Sequence, residues 1–267
     1  MGHQRLGDIP KSYRWNTVVA SVASGGGGLG GGVSSEYVGD VASRTLDAAA
    51  AGLDRAIGDT GLCFTFYLLT QIALASREED WRPRLRRLGI RLSENASLFD
   101  LTSQVQRIVD DHIEAHGRPT DLSEMAQQAA GEAIAALAGP NARTLFGSGA
   151  AELQDAMRQL STRAGFARLG QRFFGRFMTR FLNFYLSRVT AEHVGRSALG
   201  GINDLSRFND TLATHCQQSA RIVHDFCGEW YSKTQFQTGI DLENSSHFVA
   251  VAMRKLQAEL AKQREGQ

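Results

Sequence analysis

From residue 34 onward, apolar positions recur at the three- to five-residue spacing of an amphipathic helix. Val38, Val41, Leu46, Ala49, Leu53 and Ile57 predict one helix, stopped by Gly58 and Gly61. Leu62 to Ala75 follows as a nearly continuous apolar run. As a helix it spans roughly 21 Å, short of the ~30 Å of a bilayer core, and Thr65, Thr70 and Gln71 interrupt it. It therefore reads as a core helix. Ser76 with Glu79 predicts a capping box opening an Arg-rich piece around Pro83. Leu98, Leu101, Val105, Ile108 and Val109 mark a helix ended by Gly117 and Pro119. Asp121 with Glu124 predicts a second box, opening an Ala-rich helix closed by Gly139 and Pro140.

Further helices are predicted near 150–160, over 163–190 and over 204–230, with the last starting at Asp241. Gly228 to Asp241 reads as an aromatic loop between the last two. Two-residue alternation and a repeat of fixed period are both lacking. The pattern predicts an all-α protein: an irregular single-domain bundle of about 7–9 helices, with more than half of its residues helical.

The first 32 residues differ from the rest. Arg5, Lys11, Arg14 and Trp15 form a basic, aromatic stretch, and Gly25 to Gly32 is a glycine tract interrupted only by Leu29. Such a tract predicts a flexible segment. It contains a formal GxGxxG, but no strand leads into it and no GK[ST] follows, so neither nucleotide-binding loop is supported. The expected division is a basic/aromatic N-terminal arm with a Gly-rich linker at 1–32 and a helical bundle at 33–267.

Charge and composition narrow the setting. The net charge of +1 gives no global attraction to a polyanion, so any such signal must be local. The chain has 25 Arg against 4 Lys, the bias of GC-rich bacterial genomes. Cys63, Cys216 and Cys227 form an odd, sparse set that suits a reducing compartment. The first residues carry charges where a leader would need an apolar run, so the expected localisation is cytoplasmic.

Chemistry-bearing motifs are weak. His112 and His116 share one helical face, but a third and fourth metal ligand would have to come from elsewhere. Cys216, His224 and Cys227 fall on one predicted helix, with the two thiols on its apolar side, where cysteines usually pack. GxSxG is lacking, and no metal or cofactor is expected. Small helical ribonucleases of the HEPN type carry an Arg and a His roughly four to six residues apart, and Arg107–His112 and Arg188–His193 are similar to that pattern. Ile108 or Val189 follows each Arg where that family tends to place a polar residue. With 25 Arg and 7 His, about two such spacings arise by chance. A HEPN-like ribonuclease is thus the enzymatic alternative.

One feature stands above background. Residues 156–191 contain seven Arg and no Asp or Glu, and Arg168, Arg172, Arg176 and Arg180 step by four along the predicted helix. Phe and Leu fill the rest of its circumference, which predicts a central, mostly buried helix. Three partners compete for the stripe. The first is internal: residues 92–132 carry eight acids against two Arg, and a buried pairing there would make each Arg→Ala cost on the order of 3–5 kcal/mol. The second is an external anion, either nucleic-acid phosphate or an acidic protein. The third and weakest is a membrane surface.

The expected function is non-catalytic: a helical scaffold, adaptor or accessory subunit of an intracellular bacterial multi-protein assembly, a phage-defence system being one example. Another protein subunit is the expected partner, and its contact residues would be Arg168, Arg172, Arg176, Arg180, Arg5, Lys11, Arg14 and Trp15. A nucleic-acid-binding or membrane-acting effector is the remaining alternative.

Overall fold

A computed structural model describes residues 12–25, 32–142, 149–196 and 198–262. Of these, 81% are helical, and no strand is present among them. The helices are α1 (Tyr13–Ser24), α2 (Ser35–Ala48), α3 (Ala50–Ile57), α4 (Thr60–Ala75), α5 (Arg82–Arg87) and α6 (Leu98–His116). They continue as α7 (Asp121–Ala142), α8 (Ala150–Leu160), α9 (Arg163–Glu192), α10 (Ile202–Ser219), α11 (Arg221–Gln237) and α12 (Leu242–Lys262).

Two helices organise the core. α4 buries 13 of its 16 residues and packs against α5, α6, α7, α8 and α12. α9, of 30 residues, packs against α1, α2, α7, α8, α10 and α11, with α7 between the two centres. Phe66 of α4 stands where they meet. Its ring lies 5.1–6.0 Å from those of Phe166, Phe173 and Phe174 of α9, Trp230 of α11 and Phe248 of α12. Each fully buried phenylalanine there stabilises the fold by about 1.5–3 kcal/mol. Among the described residues no single helix is long and apolar enough to cross a membrane. α3 and α4 reach that length only together, and they bend by 50° at Gly58 and Asp59.

The structure divides what periodicity joined. The single predicted helix over 38–57 is α2 and α3, broken at Ala49, whose backbone (φ −100°, ψ 14°) leaves the helical range. The predicted helix over 204–230 is α10 and α11, broken at Ala220. These breaks, with α1 and the six-residue α5, account for twelve helices among the described residues in place of seven to nine. α11 runs on through the predicted loop to Gln237, so most of Gly228 to Asp241 is helix. Gly228 is there because α11 crosses α9 closely, where a side chain would strike the Arg163 carbonyl, not because the chain turns.

Caps explain where several helices start. Ser76 opens nothing: it is the C-cap of α4, and its hydroxyl donates to the Ala73 carbonyl at 2.7 Å. The box at α7 is one residue earlier than predicted. Ser123 N–H donates to Thr120 Oγ1 at 2.9 Å, and Thr120 N–H donates to Ser123 Oγ at 3.1 Å. The same reciprocal geometry joins Ser97 with Asp100 at α6 and Asp241 with Asn244 at α12.

The N-terminal arm also reads differently. Residues 1–11 and 26–31, with Arg5, Lys11 and most of the glycine tract, lie outside the described residues. Residues 13–24 form α1, which docks on α2 and α9 with Trp15, Val18 and Val22 buried in the common core. Tyr37 donates its hydroxyl to the Val22 carbonyl at 3.1 Å, and Ser21 donates to Asp40 at 2.8 Å.

Candidate functional site

α9 begins where Thr162 caps it, accepting from Gly165 N–H at 2.9 Å. Its apolar residues face the core on nearly all sides, as the wide apolar arc predicts. Guanidinium groups on such a helix emerge only through a narrow opening. Gln128 and Glu132 of α7 meet Arg180, Glu132 also meets Arg176, and Asp121 at the start of α7 lies near Tyr185. α7 and α9 therefore run antiparallel.

That register divides the stripe. Glu132 serves both Arg176, at 3.3 Å, and Arg180. All three side chains remain 32–38% exposed. The acidic segment does supply a partner, but at the surface, so the pairing is worth about 1 kcal/mol or less, not the 3–5 kcal/mol of a buried pair. One and two turns nearer the start of α9 lie Arg172, half-buried, and Arg168, exposed. The register carries them past Glu132 along α7, where Ala135, Ala136 and Pro140 are the exposed residues. Among the described residues, neither has a carboxylate within 4 Å.

The other predicted contact residues scatter. Arg14 is exposed on α1, its nearest bond a long 3.5 Å contact to the Asp47 carbonyl. Trp15 is 5% exposed and tilts against Tyr185 of α9 at 6.2 Å, so it is core and not a docking side chain.

The weaker constellations resolve into packing. His112 stacks on Phe64 at 3.7 Å and on His116 at 4.3 Å, and burial followed by the His116 charge lowers its pKa. Cys216 lies on α10 and Cys227 on α11, both fully buried, while His224 sits at the surface 3.7 Å from Asp225. Burial pushes the Cys216 thiol up to about 12 and the Cys227 thiol up as well, so neither is a thiolate at neutral pH. Among the described residues no group of three His, Cys, Asp or Glu could hold a metal ion. Arg107 is engaged by Asp111 at 2.7 Å and by the Gly89 carbonyl at 2.7 Å. Arg188 pairs with Glu192 at 3.2 Å, and a His193 ring nitrogen lies 2.8 Å from the Val189 carbonyl.

Sequence reasoning missed a cleft of about 600 Å³ where the α3–α4 and α6–α7 turns meet. Arg55, Asp59, Thr60, His116, Arg118 and Thr120 line it. Asp59 and Thr120 are 61 positions apart and meet only through the packing of α4 on α7. No local pattern announces such a site.

No protein-family model, no curated protein and no solved structure matches this chain, so its function must be argued from its own residues.

Proposed function

We propose that the protein is a non-catalytic helical adaptor or accessory subunit of an intracellular bacterial assembly, and that Arg168 and Arg172 of α9 dock an acidic surface of a partner protein. One observation carries this reading: within a single stripe of four arginines, Glu132 serves the two at 176 and 180, and the two at 168 and 172 have no carboxylate among the described residues. The helix that carries them is firmly packed, so its backbone needs no further ordering when a partner arrives. Less conformational freedom is then lost on binding. A protein carboxylate is favoured over nucleic acid because the net charge is +1 and nucleic-acid-binding domains are usually plainly basic.

The test is affinity purification of the tagged chain beside its Arg168→Glu/Arg172→Glu variant, followed by binding measurements with the purified partner over a salt series. The expected result is a protein partner whose affinity falls with salt and drops at least about tenfold in the variant, with the melting temperature unchanged. Equal affinity for both chains would overturn the assignment of the site. Retention of nuclease-sensitive material in place of protein would replace the partner class.

A further inference from the structure

The cleft between the two turns is built from the chain upward. Asp59 caps α4, accepting from Leu62 N–H at 2.8 Å with one carboxylate oxygen and from the Thr120 hydroxyl at 2.7 Å with the other. Gly61 lets the first turn of α4 approach Ser123 of α7, since a side chain there would strike Ser123 and Ile113. The two turns are thereby held together, and the space beside them is walled by α6 and α7. Burial raises the Asp59 pKa, with both hydrogen bonds opposing that shift.

Two guanidinium groups line this space, and they differ in what surrounds them. Arg118 stands exposed on the α6–α7 turn and has no carboxylate within 4 Å among the described residues. Arg55, on the opposite wall, is held by the Tyr185 hydroxyl, with Asp121 in the same neighbourhood. His116 adds an imidazole whose ring nitrogen is fixed by the His112 carbonyl at 3.0 Å. Asp59 turns its oxygens to Leu62 and Thr120, and no ion pair joins it to Arg118 among the described residues. A volume of about 600 Å³ is within the range of small-molecule sites, and Ala115 and Leu122 supply apolar wall.

We infer that this cleft binds a small molecule bearing a phosphate or carboxylate group, with Arg118 taking the anion and Thr60 and His116 taking its polar substituents. Guanidinium forks suit both oxyanions, so the shared chemistry is the assignment. The site is separate from Arg168 and Arg172, and it stands or falls independently of the partner proposed for them.

The experiment is calorimetric titration of the full chain with inorganic phosphate, pyrophosphate and citrate as separate probes. Saturable binding is expected for at least one probe, weakened about tenfold by Arg118→Ala and abolished by Arg118→Glu. Binding by the Arg168→Glu/Arg172→Glu variant should match the unaltered chain. Because Arg118 is exposed on a turn, both of its substitutions should leave the melting temperature in place. Absence of saturable binding for all three probes overturns the proposal, as does binding that Arg118→Glu leaves unchanged. Preference among the probes distinguishes phosphate from carboxylate ligands.

Discussion

His215 is 8% exposed on α10, with Gly39 of α2 against its ring and no hydrogen-bond partner for Nε2. Burial lowers its pKa, so between that value and the ordinary ~6.5 the unfolded chain binds a proton that the folded chain refuses. Its contribution to stability is therefore fully present above about pH 6.5 and is lost as the pH falls below it. His112, desolvated under Phe64, shifts in the same direction. Urea unfolding at neutral and mildly acidic pH should show that loss, and His215→Leu should remove part of the slope. An identical slope in the variant would show that this imidazole is not what titrates. The cysteines give a second expectation at this scale. All three are buried with raised pKa, so a thiol reagent should find none quickly in the folded protein and all three after denaturation. That the thiols of Cys216 and Cys227 face the core was legible from their apolar neighbours. That His215 lies buried was not, because a histidine on an amphipathic helix sits equally well at either edge of its apolar face.

Between elements, glycines set the distances. At Gly228 of α11 an added methyl would strike the Arg163 carbonyl, and at Gly175 of α9 it would meet Gln217 Oε1 at 2.7 Å and the Gln217 Cα at 3.2 Å. Backbone cannot yield as a side-chain end can, so Gly228→Ala should cost about 1–3 kcal/mol. Gly131 of α7 has nothing within 4 Å of that position, and Gly131→Ala should stabilise by about 0.5–1 kcal/mol through helix propensity. Thermal melts of the two variants should move in opposite directions. Equal shifts would mean that α11 does not cross α9 as closely as described. The contrast also shows why element boundaries were only partly legible. A glycine in a loop and one that lets two helices touch look alike in one dimension, and Gly228, expected at the start of a loop, is the second. The breaks at Ala49 and Ala220 carry no local signal, since alanine is the best helix former and only packing makes the chain turn there. The Arg stripe was visible as a pattern. Its division at Glu132 depends on the α7–α9 register, which periodicity alone does not contain.

For the molecule as a whole, the all-α class was legible because helical spacing persists along nearly the entire chain. The buried length of α9 was legible from its wide apolar arc. The cleft at Asp59 and Thr120 was not, since it exists only once α4 packs on α7. The N-terminal segment is where a whole-molecule reading changes most. A glycine tract following a basic, aromatic stretch predicts a flexible arm set apart from the bundle. In the structure, Trp15, Val18 and Val22 fill the face between α2 and α9, and Tyr37 and Ser21 tie the two helices by hydrogen bonds. Losing three such side chains from a core removes about 1.5–3 kcal/mol each before any cavity cost, and Tyr185 and Tyr37 would be newly wetted. Deletion of residues 1–24 should therefore destabilise by about 5 kcal/mol or more, and at about 2–4 °C per kcal/mol for a domain this large the melting temperature should fall by roughly 10–20 °C. Trp15→Ala alone should reproduce a large part of that fall, about 3–5 kcal/mol, while Arg14→Ala, at an exposed position, should shift it little. Circular dichroism melts of the three variants decide the matter. A deletion that melts within a degree or two of the full chain would mean that α1 is an appendage after all, and the shared core would then have to be redrawn as α2 to α12.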